Sequence, residues 1–441
     1  MIHKYFKIIV ALLISSVSIL NLNAQSRNDR LLDKVERQTF EYFWSGAEPN
    51  SGLARERINM DDIYPENDKN VVTTGGSGFG LMALVAGLDR GYISKKEGRD
   101  RFYKILHFLE NADRFHGAWP HWMYGETGKV KPFGNNDNGG DLVETSFLLQ
   151  GLLAVREYYK LENNSDTFIV NTINRLWEEV DFNWYRNNKN VLYWHWSPDK
   201  QWIMNFPIHG FNECLIMYVL GASSSKHAIS LTDYNDGWAE NGAIKKVTNY
   251  KKDTLFAHMQ GNPPYGGPLF WTHYSFLGLN PRGLKDAFID YGENNITMSK
   301  INYQWCVDNP KEYKGYSASN WGLTASYSVA GYAAHAPNLN DDLGVISPTA
   351  AISSIVYTPK ESITAINYWN AKLKDKVWGK YGFYDAFSIN DDWYPQKYLA
   401  IDQGPEVVMI ENYRSGLLWK LFMAAPEVKD GLDKLGFTYK K

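Results

Sequence analysis

The sequence predicts an all-α fold, a ring of helical hairpins bearing long aromatic-rich loops. Three observations predict it. Apolar residues recur at helical spacing in about twelve segments. No series of alternating strands supports a large sheet. The segments between helices are rich in Gly, Trp, His and Asn, and they are longer than ordinary connections. A ring of hairpins leaves a cleft where the ends of the inner helices meet the loops. A two-domain helical protein is the competing arrangement.

Taken in chain order, Leu31, Leu32, Val35, Phe40 and Phe43 share one face of a first helix. Further helices are expected near 76–90, 95–113, 142–160, 166–182, 210–221, 284–306, 348–356, 361–374 and 406–424, with weaker ones near 231–240 and 272–279. Short β-like pieces such as 191–196 read as hairpins within connections. Residues 74–80 are glycine-rich (TGGSGFG) but lack the Lys of a phosphate loop, so they read as close helix packing. The loops 115–141, 184–210, 258–273 and 376–405 are where function is expected.

The chain has 441 residues, of which 44% are hydrophobic, with a net charge of −3, so it can bury a core and is not disordered. Two cysteines exclude a disulfide scaffold; Cys214 and Cys306 could pair in an oxidising compartment, two buried thiols being the plainer reading. The 46 basic residues against 49 acidic give no positive excess for nucleic acid. Sixteen Trp exceed what a core of this size requires. Lys4 and Lys7, the apolar run from Ile8 to Leu20, and Ala24 before Gln25 read as a secretory signal over 1–24. Residues 25–441 lack linkers and low-complexity stretches, and read as one domain. No other segment is long and apolar enough to span a bilayer.

Four segments carry candidate chemistry. In the first, Trp119, His121 and Trp122 lead to Asp137, Asp141 and Glu144 beside flexible glycines. Such carboxylates serve as acid, base or hydroxyl acceptors. Asp141 and Glu144 also read as a variant capping box that merely starts a helix. A calcium loop is a further reading of the Asp/Asn/Gly cluster, but its twelve-residue pattern is absent. In the second, Trp194 and Trp196 would share one face of an extended segment, with His195 on the other. Two aligned indoles suit the flat C–H faces of sugars; packing under a loop is the plainer reading. In the third, Glu213 opens an apolar helix, where the helix dipole favours its ionised form. A general acid there needs burial or a like charge, such as Asp137 or Asp141. In the fourth, Asp402 lies in a Gly/Pro turn, and Glu411 lies near Arg414 at helical spacing, a local ion pair being its plainer reading.

The chain resembles the glycoamylase-like family of secreted bacterial proteins, which includes the β-1,2-glucanases of glycoside hydrolase family 144. The matching stretches are TGGSGFGLMAL (74–84), GGDLVETSFLLQGLL (139–153), VLYWHWSPD (191–199), GFNECLIMYVL (210–220), GGPLFWTHYSFLGLNPR (266–282), NWGLTASYSVAGY (320–332), ISPTAAISSIVYTP (346–359) and YLAIDQGPEVVMIENYRSGLLW (398–419). They spread over essentially the whole chain after residue 24. The resemblance implies an (α/α)6 toroid, one catalytic domain, and glucan cleavage with inversion. It also implies that Asp137, Asp141 and Glu213 are the acidic residues of the cleft. Glu406 stands where the family carries an aliphatic residue, and Tyr327 where it often carries Asp.

The expected protein is thus an exported inverting hydrolase of β-1,2-glucan or its oligosaccharides, periplasmic or extracellular. Glu213 is the acid, and Asp137 or Asp141 is the base. Trp119, His121, Trp122, Glu144, Trp194, His195, Trp196, Trp271, His273, Tyr274, Trp321, Asp402 and Glu411 are expected to bind substrate. No cofactor or metal, no nucleic acid and no membrane span is expected, and the chain should be a monomer. Exo-acting hydrolysis of another glucan and non-catalytic glycan binding are the alternatives.

Overall fold

The computed structural model describes residues 25–161 and 166–440, so the leader expected over 1–24 lies outside the described residues. Twelve α-helices of six or more residues are present among these. They are α1 (25–44), α2 (Thr74–Asp89), α3 (Lys95–Asn111), α4 (Leu142–Leu161), α5 (Thr167–Glu178), α6 (Leu215–Ser223), α7 (Tyr291–Asp308), α8 (Pro348–Ser353), α9 (Pro359–Tyr368), α10 (Ala400–Arg414), α11 (Leu417–Ala424) and α12 (Pro426–Lys434).

Two kinds of helix alternate along the first half of the chain. α2 is apolar or small on every side, and all its residues from Thr74 to Leu88 are buried. α6 is buried along its whole length. A helix without a polar face belongs inside. In contrast, α3 buries only Gly98, Phe102, Ile105, Leu106 and Leu109, and α5 buries one stripe through Ile169, Ile173, Leu176 and Trp177. α3 starts at a capping box in which Ser94 and Glu97 satisfy each other's backbone N–H groups. α2 packs between α4 and α10, α10 also packs on α8, and α4 on α6. One continuous apolar cluster runs from Leu32 to Phe437.

The glycine run does what close packing requires. A Cβ on Gly78 would lie 2.1 Å from the Phe147 carbonyl oxygen, and one on Gly151 would lie 2.2 Å from the Gly78 oxygen. The backbones of α2 and α4 therefore touch, and no side chain fits between them.

Several boundaries differ from the sequence reading. The helix expected over 406–424 is two helices, and the first begins at Ala400, inside an expected loop. Pro405 lies within α10; near the helix start, its missing N–H removes only one ladder bond. Gly416, at φ 71°, separates α10 from α11. α7 starts at Tyr291, well after 284, because Asp286 Oδ1 holds the Phe288 and Ile289 N–H groups in a turn and Asp290 caps the helix. Residues 272–279 form 3-10 turns rather than an α-helix. α12 was not anticipated. The β-like piece at 191–196 does fold back as a hairpin, with Tyr193 bridged to Pro207 and Ser197 to Gln201, and its His195–Trp196 also pairs antiparallel with Gly140–Asp141, matching Asp141 to His195. That pairing joins two of the four candidate segments. No helix of the described residues is long and apolar enough to cross a membrane.

Candidate active site

A cavity of about 600 Å³ opens where the N-terminal ends of α2, α4 and α10 meet the loops. Its walls include Asp137, Glu144, Glu213, His121, Trp122, Trp194 and Tyr274 from the expected set. All four of the expected functional loops supply wall residues: Phe133 from 115–141, Met204 and Phe206 from 184–210, Phe270 from 258–273, and Leu399 and Ile401 from 376–405.

Asp141 is the anchor of the acidic group. It is fully buried, and its Oδ1 accepts the Glu144 N–H at 2.8 Å, which caps α4. Its Oδ2 accepts the Trp194 indole N–H at 2.7 Å and pairs with His121 Nδ1 at 2.8 Å. The capping reading of Asp141 therefore holds. Asp141 does not line the cavity; it stands behind His121 and Trp194 and orients both.

Burial opposes a charge on His121, but the carboxylates of Glu144, Asp141 and Asp137 outweigh it and push the imidazole up to about 10. His121 is thus an imidazolium at neutral pH. Burial and the Asp141 charge push Asp137 up to about 7, against the pull of His121. Asp137 Oδ1 has no hydrogen-bond partner among the described residues, although His195 Nε2 lies 3.2 Å away. That nitrogen already accepts the Gly139 N–H at 3.1 Å, so it has no proton to give Asp137.

Glu144 does not close a capping box on its own helix. Its Oε2 accepts the Gly75 N–H at 2.7 Å, at the positive end of α2. Burial nevertheless raises its pKa, opposed by His121. Glu213 lies in the turn just before α6, not in the helix itself. Burial, reinforced by the Glu144 and Asp141 carboxylates, pushes it up to about 7. This is the burial and like charge that a general acid requires. Ser275 Oγ donates to the Glu213 carbonyl and accepts the Ile216 N–H at 3.0 Å, fixing that turn.

Other expected site residues are elsewhere. Trp119 is fully buried, its indole N–H bonded to the Leu109 carbonyl and its ring under Arg114. Trp321 is fully buried and donates to the Glu361 carbonyl. Both are packing residues. Trp196 turns away into a cluster with His116 and Trp184, so the paired indole platform does not form. Trp271 stays outside the wall, and its neighbour Phe270 enters it. His273 is buried and bonded to Ser354 at 3.0 Å; burial lowers it to about 3, so it stays neutral. His195 is buried beside Asp137 and does not line the cavity. Asp402 is buried behind the wall residues Leu399 and Ile401, where burial and the Asp385 carboxyl push its pKa well up. Glu411 lies nine residues further along α10, about 13 Å from Asp402. It pairs with Arg90 at 2.6 Å rather than with Arg414, which bonds Glu36.

The sequence reading missed Glu56 and Arg57, an ion pair on the cavity wall. It also missed Tyr332, which pairs across the hairpin 325–334 with Tyr327. Phe133, Phe206 and Tyr332 are each exposed by 43–52% while lining the cavity, so the cavity carries apolar rings open to solvent. Their loop positions were the available signal.

The ligand atoms of His121, Asp137 and Asp141 lie within 4.8 Å of one another, the spacing of a cation site. Their bonding argues otherwise. Both Asp141 oxygens already accept N–H groups, and the raised His121 holds its proton against them. The trio is a hydrogen-bonded charge cluster.

The family model described as "Glycoamylase: Putative glucoamylase" matches residues 205–426. An endo-β-1,2-glucanase from Chitinophaga pinensis, solved with sophorotriose and glucose, is 62% identical at a TM-score of 0.92, covering 93% of this chain and 99% of its own. A Bacteroides caccae protein described as a "putative glucoamylase" is 59% identical at a TM-score of 0.91, covering 94% of this chain and 100% of its own. An exo β-1,2-glucooligosaccharide sophorohydrolase (non-reducing end) of Parabacteroides distasonis is 44% identical over 424 residues, 92% of this chain. The chain spans 58% of the length of that curated relative. By sequence and fold together, the chain belongs to the glycoamylase family.

Proposed function

We propose that this protein hydrolyses β-1,2-glucan or its oligosaccharides with inversion at the anomeric carbon. The observation that carries the reading is Glu213: a carboxyl held near neutrality by burial, in a cavity that also holds Asp137 and solvent-open aromatic rings. Glu213 protonates the glycosidic oxygen as the bond breaks. Asp137, kept partly ionised by the His121 cation, accepts a proton from the attacking water. Its Oδ1 is shut off from solvent beside His195 Nε2, so Oδ2 is the atom that takes the proton. Asp141 touches neither water nor sugar in this scheme and holds His121 and Trp194 in place. Phe133, Phe206, Trp122 and Trp194 stack on sugar C–H faces. The β-1,2 linkage rests on the likeness to the glucanase and the sophorohydrolase.

The same proposal takes residues 25–441 as one catalytic domain with an (α/α)6 arrangement. Alternation of fully buried and one-faced helices supports it. The basic and apolar pattern of 1–24 supports export to the periplasm or beyond, and the protein is taken as a monomer. A purely sugar-binding protein would have no use for carboxyls raised toward neutrality.

Product analysis on linear β-1,2-glucan beside maltodextrin tests the substrate. Sophoro-oligosaccharides from the first and none from the second are expected; release only from maltodextrin overturns the linkage. Proton NMR of the first products should show the α-anomer. A first-formed β-anomer overturns inversion.

A further inference from the structure

A second aromatic surface lies outside the cavity wall, on the loops from α3 to α4 and from α5 to α6 that also supply wall residues. Its members are His116, Trp184, and Trp196 and Trp202 of the hairpin 193–207. The His116 imidazole stacks on one face of the Trp184 indole, with ring centres 3.7 Å apart and planes 15° from parallel. The Trp196 ring meets both edge-on, 4.7 Å from His116 and 5.8 Å from Trp184. Trp202 lies 6.5 Å from Trp184.

The backbone holds this arrangement in place. His116 sits in the left-handed region at φ 49°, and its carbonyl accepts the Asp181 N–H at 3.0 Å. Asp181 Oδ1 in turn accepts the Trp184 N–H at 2.9 Å. A Cβ on the next residue, Gly117, would collide with the Glu179 carbonyl oxygen. With one face covered and its edge packed, Trp184 is still 39% exposed, so most of what remains of the ring faces solvent. The indole N–H groups of Trp184, Trp196 and Trp202 make no hydrogen bond to any described residue, and those of Trp196 and Trp202 are not shut off from water. In contrast, the fully buried Trp119, Trp238, Trp321 and Trp369 each give theirs to a protein acceptor.

A fixed flat ring with free N–H donors beside it fits a sugar, whose apolar C–H face is ringed by hydroxyls. The cavity indicates which sugar. About 600 Å³ is the size that encloses one small ligand, so a polymer bound there must leave over the rim. The hairpin 193–207 carries the wall residues Trp194, Met204 and Phe206 together with Trp196 and Trp202, so rim and aromatic surface are continuous.

We propose that Trp184, Trp196 and Trp202 form an accessory site for a stretch of glucan chain lying outside the cavity. The inference rests on the reading of the cavity as a glucan hydrolase site. The accessory site holds long chains beside the cavity and takes no part in bond cleavage.

The experiment is steady-state kinetics of the full chain on long linear β-1,2-glucan and on sophoropentaose. Trp184→Ala should raise KM on the long glucan about fivefold and on sophoropentaose by less than about twofold. Trp184→Tyr keeps a flat ring and should recover most of the loss. Thermal melts of both variants check that they fold. An unchanged KM on the long glucan overturns the proposal, and so does an equal rise on both substrates. A parent that hydrolyses neither substrate overturns the reading of the cavity, and this inference with it.

Discussion

Glu213→Gln should make the protein a poor enzyme and a more stable one. Burial and neighbouring carboxylates hold the Glu213 carboxyl at about 7, against an ordinary 4.5. The folded protein therefore keeps this proton over a pH range in which the unfolded chain has lost it. Stability falls as pH climbs from about 4.5 to about 7, and the penalty is complete above that. At 1.36 kcal/mol per unit, the penalty is about 3 kcal/mol. Glutamine has the same shape and no proton to lose. The variant should match the parent in thermal melts at pH 4 and exceed it at pH 8. Catalysis moves the other way. A general acid contributes about 10²–10⁴ in rate, so kcat on linear β-1,2-glucan should drop by that factor. In barrier terms this is about 3–5 kcal/mol. Reducing-sugar release measures it, and an aryl glycoside with a nitrophenolate leaving group separates the roles. Such a leaving group needs no proton, so the variant should recover most of its rate on it. Near-full activity on glucan, or equal loss on both substrates, would refute the assignment of Glu213 as acid. Equal melts at pH 8 would refute the buried-carboxyl reasoning.

Three further outcomes are expected. His121→Gln removes the cation that opposes the charges of Asp137, Asp141 and Glu144. The parent's stability contribution from His121 is full below about 6.5 and is lost as pH rises through about 10, so melts of the variant should show a shallower slope in that window. Trp119→Ala should cost about 3–5 kcal/mol in denaturant unfolding, while Trp194→Ala should act mainly on KM and kcat; the reverse pattern would return Trp119 to the cleft. Asp402→Asn puts a neutral group of the same shape where burial and Asp385 already oppose a charge, so hydrolysis should stay within about threefold of the parent. A loss of about a hundredfold would transfer the base role from Asp137 to Asp402.

What the sequence made legible, and what it hid, divides along the range of the interactions. Helices with strong periodicity, the tight glycine run and the capping role of Asp141 are local, and each was readable from spacing. The environment of Glu213 was readable in kind, since its apolar neighbours imply burial. The partner was not, because Glu144 reaches it only through the fold. Glu411 illustrates the limit. Its near neighbour Arg414 offers an ion pair at helical spacing, yet Arg90, 321 positions away, takes it. Tryptophan is the other blind spot. Trp119, Trp194, Trp196 and Trp321 all lie in segments between helices. Whether an indole faces a cavity or a helix depends on packing that composition does not encode. Glu56 and Arg57 were missed because they lie in a stretch with no motif of its own.

The bond from Gly75 to Glu144, together with the touching backbones at Gly78 and Gly151, bears on how this enzyme can diverge. Where two helices have no side chain between them, neither can slide or tilt to suit a different sugar. Variation in chain length or linkage must then be accommodated by the hairpin 325–334 and the loops around Phe133 and Phe206. The acidic centre is inherited as a fixed unit, and selection for new substrates acts on its rim.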